Sequence, residues 1–188
     1  MAIPNTSAIF NLNSQMNSLR LHKVFCMNVS EFNTFLKEKN LTIATAESIT
    51  AGLLMSTIAS VSGVSSVLKG GIVTYQEELK IKLLNVNPET LKSYSAESLE
   101  TTVEMVKGLS NLGLDSDIYV AITGVASESV NEYKITKQVG QIYVAILFNN
   151  KLHTFETILQ PETKENSRNK IREKAVDFIF DKITEIIA

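Results

Sequence analysis

The sequence predicts an α/β protein with three layers, α/β/α, in which a mixed, largely parallel sheet ends in a late antiparallel hairpin. Strand-type apolar runs alternate with helix-type runs along most of the chain, the pattern of a sheet covered by helices. Helical segments separate the early strand-type runs, as parallel crossovers require. The last two strand-type runs are joined by Asn149-Asn150, a turn signal typical of an antiparallel hairpin.

Length and composition predict one folded domain with a separate leading segment. A chain of 188 residues with 44% hydrophobic content can bury a sizeable core, and we place the single domain at residues 30–188. Residues 1–29 contain no Asp or Glu and differ in composition from the rest. They indicate a disordered extension or a misassigned start, with Met27 as the natural first residue, and a weak targeting segment is a third reading.

Charge and residue counts argue against several classes of function. The formal net charge is −2 and the basic residues are dispersed, so we expect no nucleic-acid partner. No apolar run approaches the roughly 18 residues of a membrane span, so we expect no membrane partner. One cysteine, Cys26, and two histidines, His22 and His153, offer neither an internal disulfide nor metal-ligand spacing. The expectation is a cytoplasmic protein without a metal or cofactor.

The first predicted helix covers residues 31–39. Ser30 is the predicted N-cap because serine accepts a hydrogen bond from a backbone N–H of the first turn. Phe32, Phe35 and Leu36 share one face of this helix, which is therefore the face expected to pack on the sheet.

The junction between the first strand and the second helix, within the segment TIATAESITAGLL, is the most informative part of the chain. The strand-type run stops at Glu47-Ser48 and the helix-type run begins directly after Thr50. Serine and threonine are common N-caps, so the cluster can be read as a cap alone. A helix needs only one cap, however, and small Ala51 and Gly52 allow a ligand to approach the backbone. We therefore predict a site here.

The middle of the chain predicts one strand followed by a helical layer. Residues 67–75 form a strand whose Gly70-Gly71 pair indicates a bulge or close backbone packing. Residues 76–84 form a short helix, and Pro88 begins a further helical turn. Ser95 is the predicted cap of a long helix that ends near residue 112, with four apolar side chains inward: Leu99, Val103, Val106 and Leu109.

The remaining elements are strands at residues 118–123, 139–148 and 151–159 and a long amphipathic helix at residues 164–187. Ligands of such sheets bind beyond the carboxyl ends of the strands. The first three predicted strands end at Ser48, Tyr75 and Thr123, so these three hydroxyls are expected to share one pocket.

Ser48 is a nucleophile only if a base removes its proton, and neither histidine is placed to do so. A desolvated lysine is the other base that serine enzymes use. Lys80 is the candidate, since it follows Tyr75 by five residues on the next predicted helix. An ordinary exposed lysine and an ordinary rim tyrosine are the alternative interpretations of these two residues.

A family resemblance covers the same residues. The segments TIATAESITAGLL, GGIVTYQEELKIKLLNV, YVAITGVA and VGQIYVAI, in that order, resemble the C-terminal domain of the CinA (competence/damage-inducible protein) family over residues 30–188. The family pattern A-E-S-C-T-G-G matches Ala46, Glu47, Ser48, Thr50 and Gly52. The pattern G-x-V-x-Y-x-x-x-x-K matches Gly71, Val73, Tyr75 and Lys80.

The resemblance implies an amidohydrolase that deamidates nicotinamide mononucleotide to nicotinate mononucleotide and ammonia, without a cofactor or metal, in a homodimer. It assigns the nucleophile to Ser48, the base to Lys80 and an accompanying hydroxyl to Tyr75. The oxyanion is expected to lie at the N–H groups of residues 50–52. The substrate-binding positions are Glu47, Thr50, Gly52, Gly71, Thr123, Gly124, Arg168 and Arg172.

Arg168 and Arg172 match a family pattern R-x-x-[VI]-R near the C-terminus. Four residues apart on one helix face, they could grip a phosphate as a fork. A solvated basic face is the equally weighted alternative, because lysines crowd the same helix.

The chain also departs from the family patterns. Ile49 and Ala51 replace the family cysteine and first glycine, and residues 124–130, GVASESV, lack the proline and further glycines of G-I-A-G-P-x-G-G. Ala96 and Gln138 are further departures. Two other functions therefore stay open: a catalytically silent member that binds a nucleotide-like ligand or a partner chain, and an amidase for another small carboxamide.

Overall fold

The computed structural model describes residues 27–128 and 137–188. The predicted N-terminal segment, except for its last three residues, and the last part of the 124–130 loop lie outside the described residues. No helix in the described ranges combines the length and apolar character needed to cross a bilayer.

Eleven main elements follow one another in the described ranges, in the order α1, β1, α2, β2, α3, α4, α5, β3, β4, β5, α6. The helices are α1 Val29–Glu38, α2 Leu53–Ala59, α3 Glu77–Leu84, α4 Pro88–Tyr94, α5 Leu99–Ser110 and α6 Ser167–Ile187. The strands are β1 Ile43–Glu47, β2 Leu68–Val73, β3 Ile118–Gly124, β4 Gln141–Phe148 and β5 Lys151–Ile158.

The five strands form one mixed sheet in the order β2-β1-β3-β4-β5. Strand β1 pairs in parallel with both β2 and β3, whereas β4 is antiparallel to β3 and β5. Asn149 and Asn150 both have positive φ, as the tight turn between β4 and β5 requires. The predicted fold class is confirmed.

Different residue sizes on the two sheet faces allow different helices to pack on them. One face carries large β-branched residues such as Ile43, Ile118 and Val120, which pack with buried residues of α1, α2 and α6. The other face carries small residues such as Ala44 and Ala121, which pack with α3, α4 and α5. Strand β1, which lies between β2 and β3, is buried on both faces and carries Glu47 at its end.

The predicted cap of the first helix was wrong by two residues. Asn28 is the N-cap of α1: its side chain accepts the N–H groups of Ser30 and Glu31, and Glu31 in turn accepts the Asn28 N–H. This capping box satisfies more orphan groups than a serine at position 30 could. Phe32 and Leu36 are buried as expected.

The predicted cap of the long helix was also wrong. Ser98 caps α5 by accepting the Thr101 N–H, while Ser95 ends α4 with a positive φ of 79°. Of the four residues predicted inward, Val106 and Leu109 are buried and the other two are partly buried. Three further α5 residues are fully buried: Thr101, Thr102 and Met105.

The Gly70-Gly71 pair marks both features that the sequence predicts for it. The pairing of β1 with β2 shifts register between Ile43 and Ala44, so that Ala44 lies opposite Gly70. A side chain at Gly71 would collide with Thr45 of β1. The structure thus places Gly71 inside the sheet as a packing position.

Candidate active site

The turn that follows β1 is fixed by the carboxylate of Glu47. Its Oε2 accepts the N–H groups of Gly52 and Leu54 at 2.9 and 3.1 Å, and its Oε1 accepts the Met55 N–H at 2.8 Å. Glu47 is only 1% exposed. A carboxylate at a helix N-terminus is favourable because the first N–H groups lack helical partners. Glu47 therefore caps α2 and holds the turn that presents Ser48.

Lys80 and Ser48 are brought together in the interior of the protein. The Nζ atom of Lys80, which is fully buried, lies 3.0 Å from the Ser48 Oγ. The same Nζ lies 2.6 Å from the Thr74 carbonyl oxygen and 3.4 Å from that of Tyr75. These two carbonyls belong to the turn between β2 and α3, so that turn and the first turn of α3 place the amine.

This environment favours the neutral form of the lysine more than water does. Burial lowers the pKa of the Lys80 ammonium from 10.5 to about 8, although the negative charges of Glu97 and Glu77 oppose the shift. A neutral amine has two N–H bonds and one lone pair. It can donate to the two carbonyl oxygens and accept the Ser48 hydroxyl proton, which is the arrangement a general base requires.

Ser48 lies on the wall of a cavity of about 740 Å³, a size that accommodates a small-molecule ligand. The cavity lining includes residues from the turn after β1, the start of α3, the segment before α5, the end of β3 with the segment that follows it, and α6. The lining residues are Ser48, Ile49, Tyr75, Gln76, Glu77, Glu78, Ala96, Glu97, Gly124, Val125, Ala126, Ser127, Glu128 and Arg168. No group of metal-ligating side chains converges within residues 27–128 and 137–188.

Arg168 and Tyr75 are joined on the cavity wall. The Arg168 guanidinium donates to the Tyr75 hydroxyl at 2.9 Å and to the Ser127 Oγ at 2.8 Å. Tyr75 is half exposed. Its backbone carbonyl oxygen faces Lys80, whereas its hydroxyl accepts a hydrogen bond from Arg168. The Tyr75 hydroxyl is therefore paired with the arginine.

Arg172 has a different position from Arg168. It donates to the Thr50 carbonyl oxygen at 2.6 Å and to the Asn169 side chain at 2.9 Å, and it is not among the residues that line the cavity. The two arginines thus share a helix face without forming a fork. Arg168 faces the cavity, and Arg172 binds the turn that carries Ser48.

The other residues predicted to bind substrate lie at different depths. Gly124 lines the cavity. Thr123 is fully buried, and its hydroxyl lies 2.7 Å from the Thr102 hydroxyl, so it does not share the cavity wall with Ser48 and Tyr75. Thr50 is fully buried and does not line the cavity, and Gly52 occupies the N-cap position of α2 with a φ of 91°.

Glu97 is a cavity residue that the sequence reasoning missed. Burial raises the pKa of its carboxyl, while a backbone hydrogen bond and the charge of Lys80 lower it. Placing the cap of the long helix at Ser95 put Glu97 inside that helix. Ser98 is the sequence signal that could have identified Glu97. With Ser98 in place of Ser95 as the cap, Glu97 lies in the segment just before the helix.

The comparisons with known proteins agree on one family. A family model described as the CinA C-terminal domain matches residues 28–187. A "CinA-like protein" of Petrotoga mobilis is 33% identical over 161 residues, 86% of this chain and 38% of the relative. "Protein MG115 homolog" of Mycoplasma pneumoniae is 39% identical over 153 residues, 81% of this chain and 92% of the relative.

Solved structures with this architecture have related names. A competence/damage inducible protein from Agrobacterium tumefaciens superposes with a TM-score of 0.74 at 26% identity, covering 85% of this chain and 93% of that one. The chain spans little more than a third of several relatives, among them a "Putative competence-damage inducible protein" of Clostridium acetobutylicum, 39% identical, of which 36% is covered. The family model nevertheless covers nearly all of the described residues, and the chain belongs to the CinA C-terminal domain family.

Proposed function

We propose that this protein is an amidohydrolase that deamidates nicotinamide mononucleotide to nicotinate mononucleotide and ammonia. The observation that carries the proposal is the 3.0 Å approach of the buried Lys80 amine to the Ser48 hydroxyl on a cavity wall. A serine next to a desolvated lysine is an arrangement for acyl transfer at a carbonyl carbon. The family resemblance of the surrounding motifs supports the choice of substrate.

In the first step, the neutral Lys80 amine takes the Ser48 hydroxyl proton while the Ser48 oxygen bonds to the carboxamide carbon. The carbonyl π pair moves to oxygen and leaves a tetrahedral oxyanion. Lys80 is then an ammonium, stabilised by the Thr74 and Tyr75 carbonyl oxygens. The carboxylates of Glu97 and Glu77 favour this charged form.

The donor for the oxyanion follows from the hydrogen bonds of the turn. The Gly52 N–H donates to Glu47 and the Ala51 N–H to the Ser48 carbonyl oxygen. Among the described residues, the N–H groups of Ile49 and Thr50 have no such acceptor. Ile49 lines the cavity whereas Thr50 is fully buried, so we assign the oxyanion to the Ile49 N–H, one residue before the expected 50–52 set.

In the second half of the reaction, the carbon–nitrogen bond breaks and Lys80 returns its proton to the leaving nitrogen, which departs as ammonia. Water then attacks the Ser48 ester while Lys80 takes a proton from it; the bond from carbon to the Ser48 oxygen breaks, Lys80 returns the proton to that oxygen, and the acid is released. Every proton is exchanged between Ser48, Lys80, water and substrate, so these reaction steps require no cofactor or metal.

Arg168 is the proposed contact for the phosphate of the nucleotide. It is the cation among the described lining residues, and a guanidinium binds phosphate oxygens with paired N–H groups. Its bonds to Tyr75 and Ser127 hold the guanidinium in place before substrate arrives. Arg172 is proposed to act indirectly, through the Thr50 carbonyl.

The test is a coupled assay of ammonia release from nicotinamide mononucleotide. Ser48→Ala and Lys80→Met are each expected to lose on the order of 10² to 10⁴ in kcat/KM. Lys82→Met is the matched control, because Lys82 is an exposed lysine of the same helix that pairs with Glu78. Parent-like ammonia release by Ser48→Ala or Lys80→Met excludes the assigned mechanism.

A second candidate function is ligand binding without turnover. It is favoured by the three oxygen acceptors around Lys80, which also satisfy a protonated ammonium completely. A silent member would show a rise in melting temperature with nicotinamide mononucleotide but no ammonia. If the protein hydrolysed other small carboxamides but not nicotinamide mononucleotide, an amidase of different specificity would be favoured instead.

We propose that the protein acts in the cytoplasm as a homodimer, with no nucleic-acid or membrane partner. The dimer rests on the family resemblance, and partly exposed apolar residues of β2 and α3, namely Val73, Leu79 and Leu83, are candidates for the interface. Light scattering coupled to size exclusion measures the mass in solution, and a monomer at micromolar concentration would contradict the dimer.

A further inference from the structure

We infer that Glu97 is a specificity-determining residue that selects substrates whose carboxamide ring carries a positive charge. The inference rests on the proposed function, since it concerns the site in which Ser48 meets the carboxamide. It predicts that the site binds a cationic pyridinium carboxamide more tightly than a neutral dihydropyridine carboxamide of similar shape.

The first support is the charge of the cavity wall. The described lining carries four carboxylates, Glu77, Glu78, Glu97 and Glu128, against a single guanidinium, Arg168. Glu78 is paired with Lys82 outside the wall. A cavity with this balance disfavours a purely anionic ligand, and it suits a ligand that carries a cation as well as an anion.

The second support is the place of Glu97 in that wall. Glu97 lines the same cavity as Ser48, and its negative charge raises the pKa of Lys80, whose amine lies 3.0 Å from the Ser48 Oγ. A carboxamide attacked by Ser48 brings its attached ring into the same region. Arg168 is bound instead to Tyr75 and Ser127.

The third support is the rigid backbone that carries Glu97. The Ser95 hydroxyl donates to the Glu97 carbonyl oxygen at 3.3 Å, and the hydroxyls of Ser98 and Thr101 both donate to the Ser95 carbonyl oxygen, at 3.0 and 2.7 Å. Ser98 then caps α5. These bonds fix the backbone from which the Glu97 side chain extends, and a charge on a preorganised segment discriminates between ligands better than one on a mobile segment.

The experiment compares two forms of one nucleotide. Nicotinamide mononucleotide has a pyridinium ring, and its reduced form has a neutral dihydropyridine ring with the same carboxamide, ribose and phosphate. Calorimetry at mildly alkaline pH, where carboxyl groups are ionised, measures the Kd of each form. The 188-residue chain carries Ser48→Ala, which prevents turnover. The same chain with Glu97→Gln is measured in parallel, and Glu100→Gln, an exposed residue outside the cavity lining, is the matched control.

We expect the Ser48→Ala protein to bind the pyridinium form at least about tenfold more tightly, equivalent to about 1.4 kcal/mol. Glu97→Gln is expected to remove most of this preference by weakening the pyridinium form alone, whereas Glu100→Gln retains it. Equal affinity for both forms, binding of neither form, or a preference that survives Glu97→Gln overturns the inference. Ammonia release by the unmodified protein tests the proposed function separately, since these titrations require no turnover.

A role for Glu97 limited to the Lys80 pKa would give a different result. In that case Glu97→Gln would shift the pH profile of ammonia release and leave the ratio of the two Kd values unchanged. That outcome would also overturn charge selection, and it would leave the Ser48–Lys80 mechanism intact.

Discussion

The Arg172 guanidinium donates a 2.6 Å hydrogen bond to the Thr50 carbonyl oxygen, 122 positions earlier in the chain. The bond joins the C-terminal helix α6 to the turn that carries Ser48. On its other side the same turn is held by the Glu47 carboxylate. The position of the Ser48 hydroxyl therefore depends on side chains from both ends of the domain.

Arg172→Ala should reduce both stability and turnover. Loss of a charge-assisted bond to a partly buried carbonyl oxygen is expected to lower the free energy of unfolding by about 1–3 kcal/mol. A looser turn should lower kcat more than it raises KM. Denaturant unfolding and steady-state ammonia release measure the two effects.

Arg168→Ala is the comparison, since Arg168 is exposed and bonds to side chains of the cavity wall. Its unfolding free energy should stay within about 0.5 kcal/mol of the parent, while KM for nicotinamide mononucleotide rises. If the two variants showed the same balance of stability loss and KM change, the division of roles between the arginines would be wrong.

Glu47→Gln should destabilise the protein although it changes few atoms. An amide NH₂ would replace one carboxylate oxygen and meet a backbone N–H instead of accepting from it. We expect a loss of about 2–3 kcal/mol in the free energy of unfolding. Glu31→Gln, the same change in the exposed capping box of α1, should cost below about 1 kcal/mol. A thermal or denaturant titration in which both variants lose equally would contradict the buried cap.

The burial of Lys80 predicts a pH dependence of stability. Its pKa is about 8 in the folded protein and 10.5 in an unfolded chain, so the unfolded state binds more protons between these values. Stability should therefore rise with pH across that interval, by up to about 3 kcal/mol from this group. The penalty is fully present below about pH 8 and absent above pH 10.5.

Lys80→Met should flatten this rise, while Lys82→Met, at an exposed position of the same helix, should retain it. Urea titrations of the three proteins at several pH values give the comparison. Equal slopes for parent and Lys80→Met would show that the ammonium is not desolvated.

The sheet and the principal pair of the site could be predicted from the sequence because their signals are local. The Asn149-Asn150 turn, the Gly70-Gly71 pair and the sharp change at Glu47-Ser48 each report on the backbone near them. The pairing of Ser48 with Lys80 came from motif spacing together with the family resemblance, and the structure places the two atoms in contact.

The features that could not be predicted depend on contacts between distant segments. Nothing near Arg172 indicates that its partner is the Thr50 carbonyl, and nothing near Thr123 indicates that its hydroxyl pairs with Thr102. The predicted helix caps were wrong for another reason. Asn28 and Ser98 compete with nearby serines, and the choice depends on reciprocal bonds and on a positive φ that residue type alone does not reveal.

The pH profile of ammonia release tests the central claim, that neutral Lys80 is the base for Ser48. The free-enzyme profile of kcat/KM for nicotinamide mononucleotide is measured between about pH 6 and pH 10. Because only the neutral amine can accept the serine proton, the rate should rise with pH and level off above an apparent pKa of about 8. The residual rate of Lys80→Met should lack that step. A profile that is flat across this range, or a step of the same position in Lys80→Met, would contradict the claim.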